Sequence, residues 1–380
     1  MFNKVDQNRI IATFSHLVSI PSESGHEQLT LEFLQDFFEQ KNYPHMVDNT
    51  AQKLGTDTGN LLVNIPGNPA WPTLLFSAHM DTVTPGIGIK VKEENGMLYS
   101  SGETILGSDD KAGIAAILEA VEVLSTSSKQ QHPPLELLFT VGEESGLLGS
   151  RSFNYDLLKS QYGYVLDHSN SPGSIVIQSP CQYELTFTVR GKAAHAGISP
   201  EKGINAIHIM GQALGRLPIG RIDEATTCNL GIINGGNATN IVPEECIVNG
   251  EARSLNPKRL EEFIQSLEKT FNQAVTAAGG KPEFQKKLMY TAAALDENAP
   301  VVKLAVKAAE QAGMPVVLES TGGGSDASII NGHGIPTVNL GIGMKAVHTV
   351  KEYIASQDLA DTARLVLSII DSASSGPARQ

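Results

Sequence analysis

Short apolar runs of strand length alternate with amphipathic helical patterns through the first part of this chain, and this alternation limits the fold more than any other feature. Apolar residues recur three and four positions apart over 29–38 and 114–124, the spacing of one helix face. Strand-length apolar runs lie at 61–65, 74–78, 135–141 and 162–166. Because strands buried on both faces form continuous apolar runs, the pattern predicts an α/β fold: a mixed, mostly parallel sheet with helices on both faces.

The middle of the chain follows a different order, which predicts an inserted domain. Its strand and helix patterns follow the order β-α-β-β-α-β of a ferredoxin-like α+β module, at 183–190, 204–217, 227–233, 244–252, 257–278 and 283–290. After it, the α/β alternation resumes over 300–312, 316–318, 336–340 and 358–370. We therefore predict a discontinuous first domain of residues 1–180 and 292–380, interrupted by an inserted domain of residues 181–291.

Length, charge and cysteine content disfavour several classes of protein. At 380 residues the chain exceeds the size at which a single core keeps growing, which favours two domains. The net charge of −13 disfavours nucleic acid and anionic membrane surfaces as main partners. The three cysteines form no CxxC pair, and the sequence has neither a signal-like apolar core nor an apolar run of membrane-spanning length. We therefore expect a cytoplasmic protein without a disulfide framework.

Histidines and carboxylates directly follow several of the predicted strands. In open α/β sheets, ligands bind beyond the carboxyl ends of the strands, so these side chains are expected to meet. Two imidazoles and three carboxylates could hold two divalent ions that share one carboxylate, and a further carboxylate could activate water. The residues concerned are His79, Asp81, Asp109, Asp110, Glu143, Glu144, Asp167 and His348.

Two of these motifs also have a purely structural interpretation. His79 and Asp81, two positions apart on an extended segment, could be a metal-binding imidazole with its orienting carboxylate or an ordinary buried pair. An aspartate before a helix commonly caps it, which accounts for one of Asp109 and Asp110 but not for both. The residues alone leave these alternatives open.

The remaining acids carry alternatives of their own. Adjacent acids such as Glu143 and Glu144 are commonly solvated surface, although here they follow a buried-type strand. Because neighbouring side chains diverge, one could bind metal while the other faces a bound water. Asp167 alone would more often be structural than a ligand, and His168 beside it is a competing ligand candidate.

Taken together, the motifs resemble those of the M20 family of di-zinc exopeptidases. HxD at 79–81, GxDDKxG at 107–113, GEExG at 142–146, a later aspartate and a C-terminal His-Thr surround a ferredoxin-like insertion. The segment LGSDDKAGIA at 106–115 is similar to the peptidase T, or tripeptide aminopeptidase, branch of the family. The resemblance covers nearly the whole chain, and it implies a di-metal catalytic domain with an inserted lid or dimerisation domain.

The resemblance also implies a ligand set. His79, Asp109 and Asp167 would bind one divalent ion. His348, Asp109 and Glu144 would bind the other, so that Asp109 bridges the two. The family's D-x-K spacing selects Asp109 rather than its neighbour as the bridge. The ions implied are two zinc ions, with manganese or cobalt as alternatives.

Further roles follow from the same resemblance. Asp81 would orient His79, and Glu143 would be the general base. In the insertion, His195 resembles the histidine that reaches a scissile carbonyl, often across a dimer formed by the lid. The substrate-binding residues implied are Asn240 (with Asn237 as a nearby alternative), Arg253 as a carboxylate partner, and Gly323 and Gly324 of a glycine-rich loop.

The function predicted is a metal-dependent aminopeptidase acting on short peptides. The alternative within the family is an N-acyl amino acid deacylase or carboxypeptidase-like amidohydrolase, since the same metal centre serves both. A nucleotide-binding protein is disfavoured, because neither 322–324 nor 235–236 is a GxGxxG motif between a strand and a helix. A non-catalytic relative is expected to have lost Glu143 or a metal ligand, and this chain keeps them all.

Overall fold

The computed structural model describes residues 4–126 and 132–374, which form two compact units. The first unit comprises the chain up to Ile177, then Ala294–Ser320, and the chain from Ser325 onward. The second comprises Gln178–Ala293 together with Thr321–Gly324. The sequence indicated the insertion at 181–291 but not the last short segment, because a four-residue loop has no periodic pattern of its own.

The helices and strands, numbered in chain order, occupy the following ranges. The helices are α1 Gln7–Ser19, α2 Gln28–Gln40, α3 Thr50–Leu54, α4 Ser108–Ser125, α5 Leu148–Ser152, α6 Ala206–Leu214, α7 Pro257–Ala277, α8 Pro300–Gln311, α9 Asp326–Gly332 and α10 Ser356–Ser374. The strands are β1 His45–Val47, β2 Leu61–Ile65, β3 Leu74–His79, β4 Val91–Glu94, β5 Met97–Ser100, β6 Leu135–Thr140, β7 Tyr162–His168, β8 Ser174–Ser179, β9 Cys181–Arg190, β10 Gly220–Arg221, β11 Thr226–Gly235, β12 Glu245–Ser254, β13 Lys281–Tyr290, β14 Ala293–Ala294, β15 Val317–Ser320, β16 Thr337–Gly341 and β17 Tyr353–Ala355.

The main sheet of the first unit has nine strands in the order β1-β2-β6-β3-β7-β16-β8-β14, with β15 also paired to β8. The central strands β6, β3, β7 and β16 are parallel, whereas β1, β2 and β8 pair antiparallel outside them. The predicted mixed sheet with a parallel centre is confirmed. His79 at the end of β3 stands in register with Thr140 at the end of β6, so the carboxyl ends of the parallel strands share one edge.

Helix packing explains why these segments are helical. Helix α4 runs through the interior and contributes Ile114, Ile117, Leu118 and Val121 to the main core. In α2 the buried face is Leu31, Leu34 and Phe38, and Leu29, which the pattern placed on that face, is 53% exposed. The difference arises because this segment has apolar residues on more than one side of the helix, so periodicity alone does not show where the buried face is centred.

The second unit is an antiparallel sheet in the order β10-β11-β12-β9-β13 with the two helices α6 and α7. Leaving out the short β10, its β-α-β-β-α-β order is the ferredoxin-like arrangement that the sequence predicted. Asn256 caps α7 by accepting a hydrogen bond from the Arg259 amide. Phe187 of β9 packs edge-on against Phe271 of α7, with ring centroids 5.1 Å apart, at the centre of a core separate from that of the first unit.

Two sequence expectations concern the whole chain. Cys181, Cys228 and Cys246 are each buried and unpaired. None of the helices in the described ranges is both long enough and apolar enough to cross a lipid bilayer.

Candidate metal centre

Two clusters of imidazole and carboxylate groups that share Asp109 lie at the edge where the parallel strands end, and His79, Glu143 and Glu144 form a third group there. His79 Nε2 is 3.0 Å from Asp109 Oδ1 and 4.0 Å from Asp167 Oδ1. His348 Nε2 is 3.3 Å from Asp109 Oδ2 and 2.9 Å from Glu144 Oε1. Within each trio the potential ligand atoms lie within 4.8 Å of one another. Asp109 therefore belongs to both clusters and turns a different oxygen toward each histidine.

The donor atoms of these clusters suit divalent metal ions. Imidazole nitrogen and carboxylate oxygen are ligands that zinc and related ions accept. Glu144 Oε1 is buried and has no hydrogen-bond partner among the described residues, although His348 Nε2 lies 2.9 Å away. An unpaired buried carboxylate oxygen is costly, and a cation between the two atoms would satisfy both. The residues present therefore fit a pair of divalent ions.

The acids of the site stand so close together that they perturb one another. Burial raises the pKa of Asp167 well above its usual range, and the nearby carboxylates of Asp109 and Glu143 add to the effect. Burial likewise raises the pKa of Glu143, with further contributions from Asp326 and Glu144. Since buried like charges disfavour ionisation, cations in the clusters would stabilise the ionised acids.

The pKa values of the two histidines are raised as well, which for an imidazole favours the charged form. The nearby carboxylates of Asp109 and Glu144 raise the pKa of His348 to about 10. Burial opposes the charged form of His79, but hydrogen bonds with Asp109 and Asp81 raise its pKa well above the usual value. Protons on these imidazoles occupy the positions that metal ions would take, so metal binding is expected to release protons.

Asp81 anchors both His79 and the turn that follows β6. His79 Nδ1 lies 3.0 Å from the Asp81 carbonyl oxygen and 3.3 Å from Asp81 Oδ1. The predicted carboxylate partner is therefore present, but the backbone carbonyl is the nearer acceptor. The Asp81 carboxylate accepts hydrogen bonds from Glu143 N, Glu144 N and Ser24 Oγ. A proton on Nδ1 leaves the Nε2 lone pair available to a metal ion between this ring and the Asp109 and Asp167 carboxylates.

The paired aspartates have separate roles. Asp109 and Asp110 have non-helical backbone angles within the first turn of α4, and the peptide bond between them is cis. Asp110 is fully buried and accepts hydrogen bonds from Gly113 N and His79 N, so it is the capping residue. A Cβ at Gly113 would lie 2.5 Å from the Leu166 carbonyl oxygen, which shows why α4 needs glycine to pack this closely on β7. Asp109 is left free to face both histidines.

The candidate competing ligand His168 points elsewhere. Its Nε2 lies 3.1 Å from Glu319 Oε1, and it belongs to neither trio around Asp109. Asp167 is held by its backbone, because its N–H donates to Asn339 Oδ1 and its carbonyl oxygen accepts from Asn339 Nδ2. The register of β7 beside β16 thus decides which of the two adjacent side chains faces the site.

Buried charged groups that the sequence analysis did not single out support the site. Glu27 Oε1 accepts hydrogen bonds from Gly25 N and Gly142 N, directly before the Glu143–Glu144 pair, and burial raises the pKa of Glu27 to about 7. Lys111 Nζ donates to Ser22 Oγ and to the Met80 carbonyl, and burial lowers the pKa of Lys111 to about 8. Lys111 could have been found from its place in the GxDDKxG motif. Glu27 carries no such signal.

Comparison with known proteins places these features in a family. Residues 75–372 match the model of peptidase family M20/M25/M40. The chain belongs to this family. It is 41% identical to the uncharacterized protein YqjE of Bacillus subtilis, over 97% of this chain and 99% of that protein.

Two solved structures are similar along almost the whole chain. One is aminopeptidase PepT from Bacillus cereus, with a TM-score of 0.88 and 39% identity over 97% of this chain and 99% of that one. The other is a tripeptidase from Staphylococcus aureus, with a TM-score of 0.91 and 37% identity over 98% of this chain and 100% of that one. The family is metal-dependent and includes dinuclear members.

In this M20 chain, the predicted residues His195 and Asn240 of the second unit lie on paired segments. Ala196 N donates to the Asn240 carbonyl and Val242 N donates to the Ala194 carbonyl. Both His195 and Asn240 are exposed. Gly197 N donates to His195 Nδ1 at 3.2 Å, so the neutral ring carries its proton on Nε2 and can donate from there.

Arg253, predicted to bind a substrate carboxylate, already has a carboxylate partner. Its Nε and one terminal nitrogen each lie 2.9 Å from an oxygen of Glu251, in a bidentate pair. Glu251 also accepts a hydrogen bond from Gln182. The sequence did not indicate this pair, because residues two apart on a strand face the same side but their contact depends on the rotamers chosen.

The predicted glycines belong to a tight loop of the second unit. A Cβ at Gly324 would lie 2.2 Å from Cζ of Tyr290, so only glycine permits this approach. Gly323 N donates to Thr321 Oγ1, which stabilises the turn. The pattern of three glycines indicated the loop, and the packing shows the reason for the last of them.

Proposed function

We propose that this M20 peptidase is an aminopeptidase that removes the N-terminal residue of short peptides, tripeptides among them, using two divalent metal ions. The observation that carries the proposal is Asp109, whose two oxygens face two different histidine-carboxylate clusters. Similarity to the B. cereus aminopeptidase and the S. aureus tripeptidase supports the substrate class. Zinc is the metal we propose, and manganese or cobalt are the alternatives to be tested.

The proposed ligands are His79, Asp109 and Asp167 for one ion and Asp109, Glu144 and His348 for the other. When bound, the ions would polarise the scissile carbonyl and acidify the attacking water. The pKa of Glu143 is raised by burial, which suits a carboxylate that takes up a proton.

The proton chemistry is assigned to Glu143 and its supports. Glu143 accepts the proton of the attacking water and passes it to the leaving amine. Asp81 keeps this base and Glu144 in place through their two backbone amides. The carboxylate and the backbone carbonyl of Asp81 also keep His79 in one tautomer. Asp81 therefore aligns both a proposed metal ligand and the proposed base.

The second unit is proposed to contribute substrate contacts. His195, with its Nε2 proton, would stabilise the oxyanion that develops on the scissile carbonyl. Arg253 would bind the free carboxylate of the peptide, which must then compete with Glu251. Asn240 and the loop of Gly323 and Gly324 would contact the peptide backbone.

A homodimer through the second unit is also proposed. Strand β10 pairs only with Thr227 and Cys228 of β11. Farther along β11, the side chains of Ile232 and Ile233 are more than half exposed. Sedimentation analysis of the wild-type chain and of the Ile232→Lys variant tests this. A wild-type monomer, or a variant that dimerises as strongly as the wild type, contradicts the proposal.

The test of the activity is a hydrolysis panel of dipeptides, tripeptides and N-acyl amino acids, with Zn²⁺, Mn²⁺ and Co²⁺ added in turn. The proposal expects tripeptides with a free N-terminus to be cleaved fastest, with release of the first residue. Preferential cleavage of N-acyl amino acids would instead establish the deacylase alternative. We further propose that the enzyme works on peptides in the cytoplasm.

A further inference from the structure

A buried carboxylate outside the proposed ligand set connects the two segments that carry Asp109 and His348. Glu352 is only 2% exposed and lies four residues after His348. Its Oε2 accepts hydrogen bonds from the backbone N–H groups of Leu106 and Gly107, each at 2.9 Å. One side chain therefore crosses between parts of the chain that are far apart in sequence.

The second oxygen of Glu352 reaches Asp109 itself. Its Oε1 accepts from Ser108 Oγ at 2.5 Å and from Asp109 N at 3.1 Å. The segment from Leu106 to Asp109 precedes the regular part of α4, so these N–H groups have no helix carbonyls to bond. Buried N–H groups require acceptors, and Glu352 supplies them for the amides of Leu106, Gly107 and Asp109 within this short loop.

The other end of the connection is the turn that carries His348. His348 has a φ of +63°, in the left-handed region that few side chains adopt. Glu352 N donates to the Thr349 carbonyl at 3.1 Å, which closes the turn between the histidine and the glutamate. The position of the Glu352 carboxylate is thus coupled to that of the His348 ring through four residues of chain.

We propose that Glu352 is a positioning residue that sets the spacing between Asp109 and His348, and thereby the affinity for the ion of the second trio. The proposal rests on the dinuclear site of the proposed function. The ion of the first trio shares Asp109, but its other two ligands, His79 and Asp167, are held by Asp81 and Asn339 instead. Loss of Glu352 is therefore expected to separate the two sites, weakening one far more than the other.

The Glu352→Gln variant tests this with little change of volume. Glutamine keeps one acceptor oxygen, but its NH₂ group replaces the other. That NH₂ group is a donor and would face the N–H or O–H donors that Glu352 now accepts from. The matched control is Glu136→Gln, because Glu136 is also buried and accepts from Lys159 N, Ser160 N and Ser160 Oγ. Glu136 lies near the start of β6, at the opposite end of that strand from Glu143.

Cobalt titration of the metal-free proteins, followed by visible absorption, measures each binding step without reference to turnover. We expect two steps in the wild type and in Glu136→Gln. In Glu352→Gln one of the two steps should be retained and the other weakened roughly 10–100-fold, the usual loss when the hydrogen-bond support of a ligand is removed. Thermal melts of the metal-free proteins show how much of any change is general destabilisation.

A second variant guards against misfolding of the first. Ser108→Ala removes a single bond to Glu352 Oε1 and should weaken the same step as Glu352→Gln by a smaller factor. Two unchanged steps in Glu352→Gln, or an equal loss of both steps, would overturn the proposal. If the wild type binds two ions but cleaves no peptide, the proposed activity fails while the role of Glu352 is still decided by the titration.

Discussion

The candidate residues of the two units differ in how they are held. In the first unit, His79 and Asp81 are buried, and each is fixed by hydrogen bonds within its own unit. In the second unit, His195 and Asn240 are exposed, and Arg253 is engaged by Glu251. Apart from the exposed His348, the residues proposed for metal binding and proton transfer are thus largely enclosed at the sheet edge, whereas the groups proposed to recognise substrate lie where an incoming ligand can reach or displace them.

Removal of metal ions tests the first side of this comparison and should have the largest effect. Chelation is expected to abolish peptide hydrolysis, since the ligand cluster has no other means to polarise the carbonyl. Metal analysis after repletion should show two ions per chain. If the chain binds no metal ions, or keeps full activity in chelator, the proposed division between metal-binding residues in the first unit and substrate-binding residues in the second is wrong.

Glu143→Gln should be the most damaging single change that leaves the metal ions in place. Glutamine is nearly isosteric but cannot accept a proton, and loss of a general base costs roughly 10²–10⁴-fold in turnover. Glu144→Gln is the matched neighbour, and it should instead lower metal content. If Glu143→Gln stays active while both variants lose metal equally, the two roles are assigned to the wrong residues.

His195→Ala tests whether an exposed group of the second unit takes part in the chemistry. Loss of one oxyanion donor typically lowers turnover by roughly 10²–10³-fold. Metal content should be unchanged, because His195 belongs to no candidate ligand trio. Full activity of this variant would end its catalytic assignment.

Mixed dimers decide between action within one chain and action across the dimer. Hybrids of inactive Glu143→Gln and inactive His195→Ala subunits should recover activity if His195 serves the partner subunit. Confirmed hybrid dimers without any recovery of activity would show that His195 acts within its own chain.

Arg253→Ala should have the smallest effect and should be visible in KM. We expect KM to rise roughly 10–100-fold for peptides with a free carboxylate, the range for a charged hydrogen bond, and much less for their amides. Glu251→Gln is the informative partner variant. It frees the guanidinium and should lower KM for the acid substrates. Equal losses for acids and amides in Arg253→Ala would identify Arg253 as purely structural.

The sheet edge that carries the candidate metal ligands could be predicted from sequence, because local patterns determine where the strands end. The apolar run 74–78 requires a buried strand, and the parallel pairing of β3 with β6 brings the residues after both strands to one edge. The GxDDKxG motif likewise indicated that one aspartate could cap a helix, although spacing alone did not assign the roles. The ferredoxin-like order of the insertion was predictable for the same reason, since each element has its own periodicity.

Only the tertiary structure decided which residues far apart in the chain contact one another. Glu352 accepts hydrogen bonds from the Leu106–Asp109 loop, and Glu27 accepts one from the Gly142 amide. These bonds depend on how separate segments pack, and no periodic pattern in the sequence predicts them. The same holds for the choice between Asp167 and His168, which strand register settles, and for the pairing of Arg253 with Glu251. A sequence pattern indicates which face of an element is buried to within a residue or two, because burial repeats with the backbone period. It does not determine which single polar group lies opposite another, because that depends on the relative placement of whole elements and on the rotamers that fit between them.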